Sequence, residues 1–306
     1  MADVELLSVT RIWDEGPHNA FCDLVRHDDR WWCTFREGTD HGSGDGALRV
    51  IVSDDAESWE SAALVELPGS DLRDPKLSVT PDDTLLLLAG ERHKDEADAW
   101  INSTMTWLSA DGTAWHGPFT VGDPSTWIWR VVWAEDVAWG VGYGCQEGRF
   151  VRLYRSRTGT RFEPIGPDMY TEGYPNETAL VFCDCGPCLC LLRMDGEGAT
   201  GKLGMAELPY TTWRWRDLGI KIGGPEMLRL PDDRYVACAR LYDERVRTSL
   251  LWLDPDAATL TEFLELPSGG DTSYAGMVWH DDLLWVAYYS SHEAKTSIYL
   301  ARVRFS

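Results

Sequence analysis

The chain has 306 residues, of which 44% are hydrophobic and 25% charged, as is typical of a folded globular protein. Its 50 acidic and 28 basic side chains give a formal charge of −22, which argues against a nucleic acid or an anionic membrane as partner. The first residues lack a signal-peptide pattern, no apolar run reaches the ~18 residues of a membrane span, and eight cysteines suit a reducing compartment. We therefore expect a cytoplasmic protein.

Short runs of β-branched and aromatic residues, separated by Asp, Gly and Pro, make up most of the chain. In chain order they include VRHDDRWWCTF, LSVTPDDTLLLLAG, RYVACARL and DDLLWVAYYS. Helical periodicity is scarcely visible, so the pattern predicts an all-β fold.

A hairpin made of an apolar strand, a two-residue turn and a second apolar strand recurs six times. Its turns are Asp28-Asp29, Asp82-Asp83, Glu135-Asp136, Cys185-Gly186, Asp232-Asp233 and Asp281-Asp282. The turns lie about fifty residues apart, and six such units fill the chain. This period is typical of four-stranded blades, so we predict one domain over residues 1–306, a six-bladed β-propeller.

The fourth hairpin carries a cysteine cluster with the sequence CGPC, which in redox proteins precedes a helix whose dipole lowers a thiol pKa. Here the strand LCLLR follows it, so the mechanism for dithiol exchange is lost. We expect structural cysteines and no metal or cofactor. Zinc is the main alternative, and the thiols that would converge on it are Cys183, Cys185, Cys188 and Cys190.

Charged and phenolic residues recur at the open end of the hairpins, seven or eight residues from the turns. They are Arg36, Asp74, Glu177, Arg193, Arg240, Tyr274 and Tyr289. In a propeller these ends lie on one face around the channel, roughly 23 Å from the turns at ~3.3 Å per residue. Each residue alone is most simply a solvated rim residue. Three arginines around one channel, however, favour an anionic ligand, and guanidinium groups suit a carboxylate.

A second repeat consists of Ser, a turn and an aromatic residue six positions later: SDDAESW, SADGTAW and SRTGTRF. The first two resemble the Asp-boxes (BNR repeats) of sialidases, which are six-bladed propellers, and the third is a degenerate copy. The resemblance extends over nearly the whole chain and is most specific in DPKLSVTPDDTLLLL, NETALVFCDCGPCLCLLR, GGPEMLRLPDDRYVACAR and TSYAGMVWHDDLLWVAYYSSH. It implies an exo-acting, retaining glycosidase that releases a terminal acidic sugar, either sialic acid or a related 2-keto-3-deoxy sugar acid.

The resemblance also implies catalytic roles. Tyr274 matches the nucleophile and Glu177 the carboxylate that assists it, because a phenol with a pKa near 10 needs a base. The acid/base of the family lies on a loop before the first Asp-box, where Asp45 fits best and Asp40 and His41 are alternatives.

Substrate binding is implied for a further set. Arg193 and Arg240 match two arginines of the triad that binds the substrate carboxylate, and Asp74 matches a substrate-contacting aspartate. Arg36 resembles an additional arginine at the end of the first hairpin, and Tyr289 and His41 complete the predicted set.

One departure concerns the first triad position. Sialidases have Arg-Ile-Pro there, whereas this chain has Arg11-Ile12-Trp13, and the repeat register places HNAF in that slot. Either the side chain of Arg11 extends into the site, or His18 or Asn19 occupies the first triad position. A propeller that binds an acidic glycan without hydrolysing it, or a lyase for a uronic-acid glycan, is therefore the alternative function. The presence of both Glu177 and Tyr274 favours the hydrolase, since a binding protein needs no nucleophile.

Overall fold

The computed structural model describes residues 4–146, 148–183 and 186–305. Over these ranges the chain forms 24 strands in six four-stranded sheets, which confirms the predicted all-β, six-bladed propeller. The described ranges contain no helix that is long and apolar enough to cross a membrane.

The chain begins with β1 (Val4–Trp13), which belongs to the last blade. Blade one consists of β2 (His18–His27), β3 (Arg30–Gly38), β4 (Ala47–Ser53) and β5 (Glu60–Val65). Blade two consists of β6 (Asp71–Val79), β7 (Leu85–Lys94), β8 (Trp100–Ser109) and β9 (His116–Val121). Blade three consists of β10 (Thr126–Ala134), β11 (Val137–Gly144), β12 (Val151–Ser156) and β13 (Glu163–Pro164).

The second half of the chain repeats the same order. Blade four consists of β14 (Tyr174–Phe182), β15 (Cys188–Asp195), β16 (Lys202–Ala206) and β17 (Arg214–Asp217). Blade five consists of β18 (Ile222–Arg229), β19 (Tyr235–Leu241), β20 (Arg247–Asp254) and β21 (Thr259–Leu266). Blade six consists of β22 (Thr272–His280), β23 (Leu283–Ser290), β24 (Ser297–Phe305) and, outermost, β1.

The ring is closed by pairing between the two ends of the chain. β1 runs antiparallel to β24, with Val4 opposite Phe305 and Arg11 opposite Tyr299. The sequence register places Arg11 in a connection before the first blade. The structure shows instead that its segment is the edge strand of the sixth.

The first strand of each blade lines the channel, where it contacts the first strands of neighbouring blades. Each of these six strands has a break in register at the same height, for example between Arg73 and Lys76 and between Ser273 and Gly276. A β-bulge bends its strand and redirects a side chain. Phe21, Asp74 and Tyr274 occupy such bulges with positive φ, so the bulges present side chains at one end of the channel, here called the mouth.

Ion pairs bridge the channel beneath the bulges. Arg130 donates from Nη1 to Asp23 Oδ1 at 2.8 Å, and its Nε lies 2.5 Å from Glu226 Oε2. Lys76 Nζ donates to the Pro75 carbonyl at 3.1 Å and lies 5.3 Å from the Trp129 ring centroid. Burial raises the pKa of Glu226 to about 7 and lowers the pKa of Lys76. The two ion pairs join the first strands of blades one, three and five, and the Lys76–Trp129 contact adds the first strand of blade two.

The Ser-turn-aromatic repeats form turns between the third and fourth strands, at the end opposite the mouth. In the second repeat Ser109 Oγ accepts from Gly112 N at 2.9 Å, and Asp111 Oδ1 accepts from the backbone N–H of Thr113 and Ala114 at 2.8 and 3.0 Å. Trp115 Nε1 donates to the Gly112 carbonyl at 3.2 Å. Blade four has the same tryptophan contact, from Trp213 to the Tyr210 carbonyl at 3.0 Å, although its sequence ELPYTTW carries no such repeat.

Candidate active site at the channel mouth

The mouth brings together five of the residues predicted from the hairpin register: Glu177, Arg193, Arg240, Tyr274 and Tyr289. They come from blades four, five and six. Their side chains lie at the ends of hairpin strands, as the counting from the turns predicts.

Tyr274, Glu177 and Arg193 form a hydrogen-bonded triangle. The phenol of Tyr274 donates to Glu177 Oε1 at 2.7 Å, and Arg193 Nη1 donates to the same carboxylate oxygen at 2.5 Å and to the phenol oxygen at 2.8 Å. Tyr274 and Glu177 are only 8% and 7% exposed. A phenol that already donates to a carboxylate can pass its proton there as it bonds to an electrophile.

Burial and the negative charge of Glu177 raise the pKa of Tyr274 well above its ordinary value, and together they outweigh the opposing charges of Arg193 and Arg240. The phenol is therefore neutral in the resting site. Burial would lower the pKa of Arg193, but the charge of Glu177 outweighs it, and the pKa is raised. The phenol thus keeps its proton in the resting site, and Glu177 Oε1 is the atom placed to accept that proton.

Backbone and side-chain groups around the triangle hold Tyr274, Glu177 and Arg193 in place. Gly224 N donates to Glu177 Oε2 at 2.8 Å, and a Cβ at Gly224, whose φ is +55°, would lie 2.7 Å from Cδ2 of Tyr274. Asp195 accepts from Arg193 Nη2 at 3.0 Å and from Asn176 Nδ2 at 2.8 Å. Glu177 and Arg193 are therefore fixed from both sides.

Asp271 is a site residue that the sequence does not predict. Its Oδ1 accepts from the Tyr289 phenol at 2.8 Å and faces Arg240 Nη2 at 3.4 Å, while Tyr289 accepts from Arg240 at 2.7 Å. The guanidinium carbon of Arg240 lies 5.2 Å from the Tyr274 ring centroid. The signal in the sequence is an acidic residue three positions before Tyr274.

Two histidines face the other oxygen of Asp271. His18 Nε2 lies 3.1 Å and His41 Nδ1 2.7 Å from Asp271 Oδ2. Burial opposes ionisation of Asp271, but hydrogen bonds from both histidines outweigh it, and the pKa of Asp271 is lowered far below its usual range. Of the residues considered for the first triad position, His18 is thus the one that contacts Asp271 at the mouth.

Asn19, the other candidate for that position, has a structural role. It is fully buried, and its Nδ2 donates to the carbonyls of Gly16 and Thr296 at 2.9 and 3.0 Å. Arg11 lies on the outer strand β1, where it pairs with Glu293 at 3.2 Å and Asp14 at 3.5 Å. The structure brings neither residue to the Tyr274 triangle.

Arg36 lies beneath the loop 39–46 rather than at the ligand surface. It is fully buried, donates from Nε and Nη2 to Asp71 Oδ1 at 3.0 and 2.9 Å, and donates to the carbonyls of Asp40 and Ser43. Arg73 and Arg92 also pair with Asp71. These contacts hold the loop over the start of blade two.

The loop contains the three acid/base candidates. Asp45 accepts from the Thr39 backbone N–H at 3.1 Å and from the Thr39 hydroxyl, and hydrogen bonds from Ser43 and Thr39 lower the pKa of Asp45 to about 2. Asp40 caps the Gly42 N–H at 2.7 Å. Of the three, only His41 contacts Asp271 and the Phe21 ring.

Asp74 occupies the bulge of β6, and burial raises the pKa of its carboxyl. Asp74 is only 8% exposed, and its predicted contact with the substrate stays a prediction.

The predicted cysteine cluster falls partly outside the described residues, because Cys185 is not among them. Cys183 Sγ lies 3.0 Å from the Tyr235 phenol, whereas Cys188 and Cys190 are buried in β15. Burial raises the pKa of both buried thiols, which opposes the thiolate that redox chemistry or zinc would need.

Solved structures share this fold at low sequence identity. A protein of unknown function from Dyadobacter fermentans superposes with a TM-score of 0.88 at 18% identity, covering 99% of both chains. Penicillium chrysogenum α-L-arabinanase, solved with arabinobiose, gives 0.76 at 11% identity over 97% of this chain and 98% of its own. Trypanosoma rangeli sialidase, solved with sialic acid, gives 0.71 at 13% identity over 98% of this chain but 58% of its own. No protein-family model and no curated protein sequence matches the chain.

Proposed function

We propose that this protein is a retaining glycoside hydrolase that releases a terminal acidic sugar, with Tyr274 as nucleophile and Glu177 as its base. The observation that carries this proposal is the triangle of Tyr274, Glu177 and Arg193, in which a buried phenol donates to a carboxylate at 2.7 Å. A site that only binds sugars needs no such pair. The propeller fold shared with a sialidase and an arabinanase supports a glycosidase.

The chemistry of an acidic sugar suits a neutral nucleophile. A carboxylate group next to the anomeric carbon repels an attacking carboxylate but not a phenol, and tyrosine nucleophiles are a known exception to the two-carboxylate scheme of glycosidases. Glu177 takes the phenolic proton as Tyr274 attacks, and Arg193 is placed to stabilise the charge on both oxygens.

Arg193 and Arg240 are the candidate ligands for the substrate carboxylate. Both approach the Tyr274 ring or phenol, and their side chains are 16% and 14% exposed, so a bound anion can reach them. With His18 in the first triad position, the clamp has two arginines. We therefore expect weaker carboxylate binding than a complete triad would give.

A second candidate substrate is a neutral glycoside. The positive charge of Arg193 is already balanced by Glu177 and Asp195, and Asp271 faces Arg240 at 3.4 Å. If these internal carboxylates satisfy the arginines, the mouth does not require an anionic sugar. The arabinanase that shares the fold is known with a neutral sugar bound.

The test is a screen of the wild-type protein against aryl glycosides of N-acetylneuraminic acid, deaminated neuraminic acid, Kdo, glucuronic acid and α-L-arabinofuranose. The substrate that is turned over is then given to Tyr274→Phe and Glu177→Gln. We expect each variant to lose at least about 10³-fold in kcat with an unchanged melting temperature, because each removes one partner of proton transfer.

Tyr170→Phe is the matched control, since the Tyr170 phenol also faces a glutamate, Glu172 at 3.4 Å, away from the mouth. It should keep full activity. Full turnover by Tyr274→Phe would reject the mechanism. Turnover of arabinofuranoside alone would select the neutral substrate, and an unsaturated uronic-acid product would identify a lyase.

A further inference from the structure

We propose that His41, oriented by Asp271, is the residue that protonates the leaving oxygen and later takes a proton from water. This assignment rests on the proposed glycosidase function. Among the described side chains of the loop 39–46, only that of His41 joins the hydrogen-bond network of the mouth, and the assignment follows from this contact.

The hydrogen bonds of His41 match those of an oriented acid/base histidine. Its Nδ1 lies 2.7 Å from Asp271 Oδ2, and the hydrogen bonds of the described residues engage no other atom of the ring, so Nε2 is free. The side chain is 55% exposed. A carboxylate that accepts from Nδ1 fixes the tautomer and leaves Nε2 to exchange protons with a ligand.

His18 contacts the same oxygen but cannot take this role. Its Nε2 is used on Asp271 Oδ2 at 3.1 Å, and its remaining Nδ1 is buried with no partner among the described residues. A substrate cannot reach that nitrogen. Of the two histidines only His41 has a second nitrogen at the surface, so His18 supports Asp271 while His41 acts on the substrate.

Two sets of contacts place His41 beside the nucleophile. The rings of His41 and Tyr274 both pack edge-on against Phe21, with centroid distances of 5.1 and 5.3 Å. Arg240, which lies over the Tyr274 ring, also faces Asp271. The phenol and the imidazole therefore border the same space at the mouth.

The charged groups around His41 fit proton transfer better than metal binding. Asp271 faces its Nδ1, the His18 ring lies 5.8 Å away, and Arg73 donates to the His41 carbonyl at 2.8 Å. Arg240 and the Tyr289 phenol contact the other oxygen of Asp271. Two guanidinium groups already supply positive charge here, and their repulsion of a divalent metal ion is stronger than their repulsion of the singly charged imidazolium that Asp271 faces.

The reaction balances with these residues. Tyr274 Oη bonds to the anomeric carbon as the bond to the leaving oxygen breaks; the phenolic proton goes to Glu177, and the leaving oxygen takes the proton of His41 Nε2. In the second step His41 takes a proton from water, the water oxygen bonds to the anomeric carbon, and the released Tyr274 recovers its proton from Glu177. No oxidant, cofactor or metal is consumed.

The experiment compares two substrates of the same sugar, one with a nitrophenyl leaving group and one with an alkyl leaving group. Protonation of the leaving oxygen matters little for nitrophenolate and greatly for an alkoxide. We expect His41→Ala to lose at least about 100-fold in kcat/KM on the alkyl glycoside, within the range of general acid catalysis, and under tenfold on the nitrophenyl glycoside. His116→Ala, a histidine on the outer strand β9, is the control and should match wild type on both.

Asp271→Asn tests the positioning role. It should weaken the alkyl-glycoside reaction, and the alkaline limb of the pH profile should move to lower pH, because the imidazolium loses its carboxylate partner. A purely structural role of Asp271 would leave the limb in place. Equal losses on both substrates in His41→Ala, a larger loss in Asp45→Asn or Asp74→Asn on the alkyl glycoside, or loss on chelation with recovery on adding zinc would overturn the proposal.

The two proposals fail separately. Loss of activity in Tyr274→Phe together with wild-type behaviour of His41→Ala would keep the glycosidase and reject His41. If the wild type turns over no glycoside, the proposed function fails. NMR of the imidazole then still tests the dyad: a strongly downfield Nδ1 proton on His41 should be present in wild type and absent in Asp271→Asn, and its absence in wild type would reject the dyad.

Discussion

The bulge in each inner strand is where individual residues of this chain acquire a role at the mouth. Tyr274 has φ +52° and Asp74 has φ +50°, in a region that non-glycine residues rarely adopt. Such strain is maintained only when the surrounding contacts fix it, and at Tyr274 those contacts include Glu177, Arg193 and the bare Cα of Gly224. The Tyr274 phenol, the proposed nucleophile, is therefore positioned by its backbone as much as by its hydrogen bonds.

Gly224→Ala tests this positioning. The new Cβ would lie 2.7 Å from the Tyr274 ring at a φ of +55°, so the ring or the bulge must move. We expect at least a tenfold loss in kcat and a loss of about 1–3 kcal/mol in the free energy of unfolding, measured by urea titration.

Gly219→Ala is the matched control for Gly224→Ala. Its φ is +71°, but a Cβ there meets nothing within 4 Å. It should cost about 1 kcal/mol for the backbone alone and leave kcat unchanged. If both variants keep full activity, the tight approach of Gly224 does not position the nucleophile.

At the scale of elements, the Ser-turn-aromatic turns at the far end stabilise the blades electrostatically. Hydrogen bonds from the backbone N–H groups of Ala114 and Thr113 lower the pKa of Asp111 from 3.8 to about 2. A folded-state pKa below the unfolded value adds stability at pH values above the unfolded pKa, and this stability disappears as the pH falls through the folded pKa. The contribution of Asp111 is therefore complete above about pH 4 and gone below about pH 2.

Asp111→Ala should accordingly lower the melting temperature at pH 7, and the difference from wild type should shrink between about pH 4 and pH 2. Asp136→Ala, which removes an exposed carboxylate in the two-residue turn of blade three, should show no such pH-dependent difference. If the difference in melting temperature between Asp111→Ala and wild type stays constant down to pH 2, the carboxylate charge does not stabilise the turn.

The elements of the fold and part of the site were predictable because every blade repeats one hairpin. Counting from the turns found Glu177, Arg193, Arg240, Tyr274 and Tyr289, since equal strand lengths bring equal positions to one height. The same count gives Arg36 and Arg240 identical places, yet Arg36 is covered. Asp71 of the next blade and the loop 39–46 enclose Arg36, and contacts between blades are invisible to a register within one blade.

Asp271 and the bulges were not predicted from the sequence, for a related reason. Asp271 lies in the connection before β22, outside the hairpin that the count follows, and a bulge needs no particular residue type. The role of β1 also depends on the whole ring, because a strand at the N-terminus pairs with one at the C-terminus only once all blades have formed.

At the scale of the whole molecule, the ring depends on β1 to complete blade six. Val4, Leu6 and Val9 of this strand are partly buried against the apolar cluster that blades five and six share, and Arg304 pairs with Glu5 at 3.2 Å. Without β1 the backbone of β24 would become an exposed sheet edge, which favours aggregation. The strand is joined to blade one by residues 14–17 only, next to the mouth.

Deleting residues 1–13 should therefore lower the melting temperature by roughly 10 °C. The partly buried aliphatic side chains of β1 and the buried Ile12 and Trp13 together contribute several kcal/mol, and each kcal/mol corresponds to about 2–4 °C in a chain of this size. The matched control is a circular permutant in which a short turn joins Phe305 to Val4, which lie opposite each other, and the chain opens at the exposed turn of Glu135 and Asp136. This permutant keeps all 24 strands and should melt near wild type. A deletion variant as stable as the permutant would show that pairing with β1 does not close the ring, whereas equal destabilisation of both would show that chain continuity matters more than the paired strand.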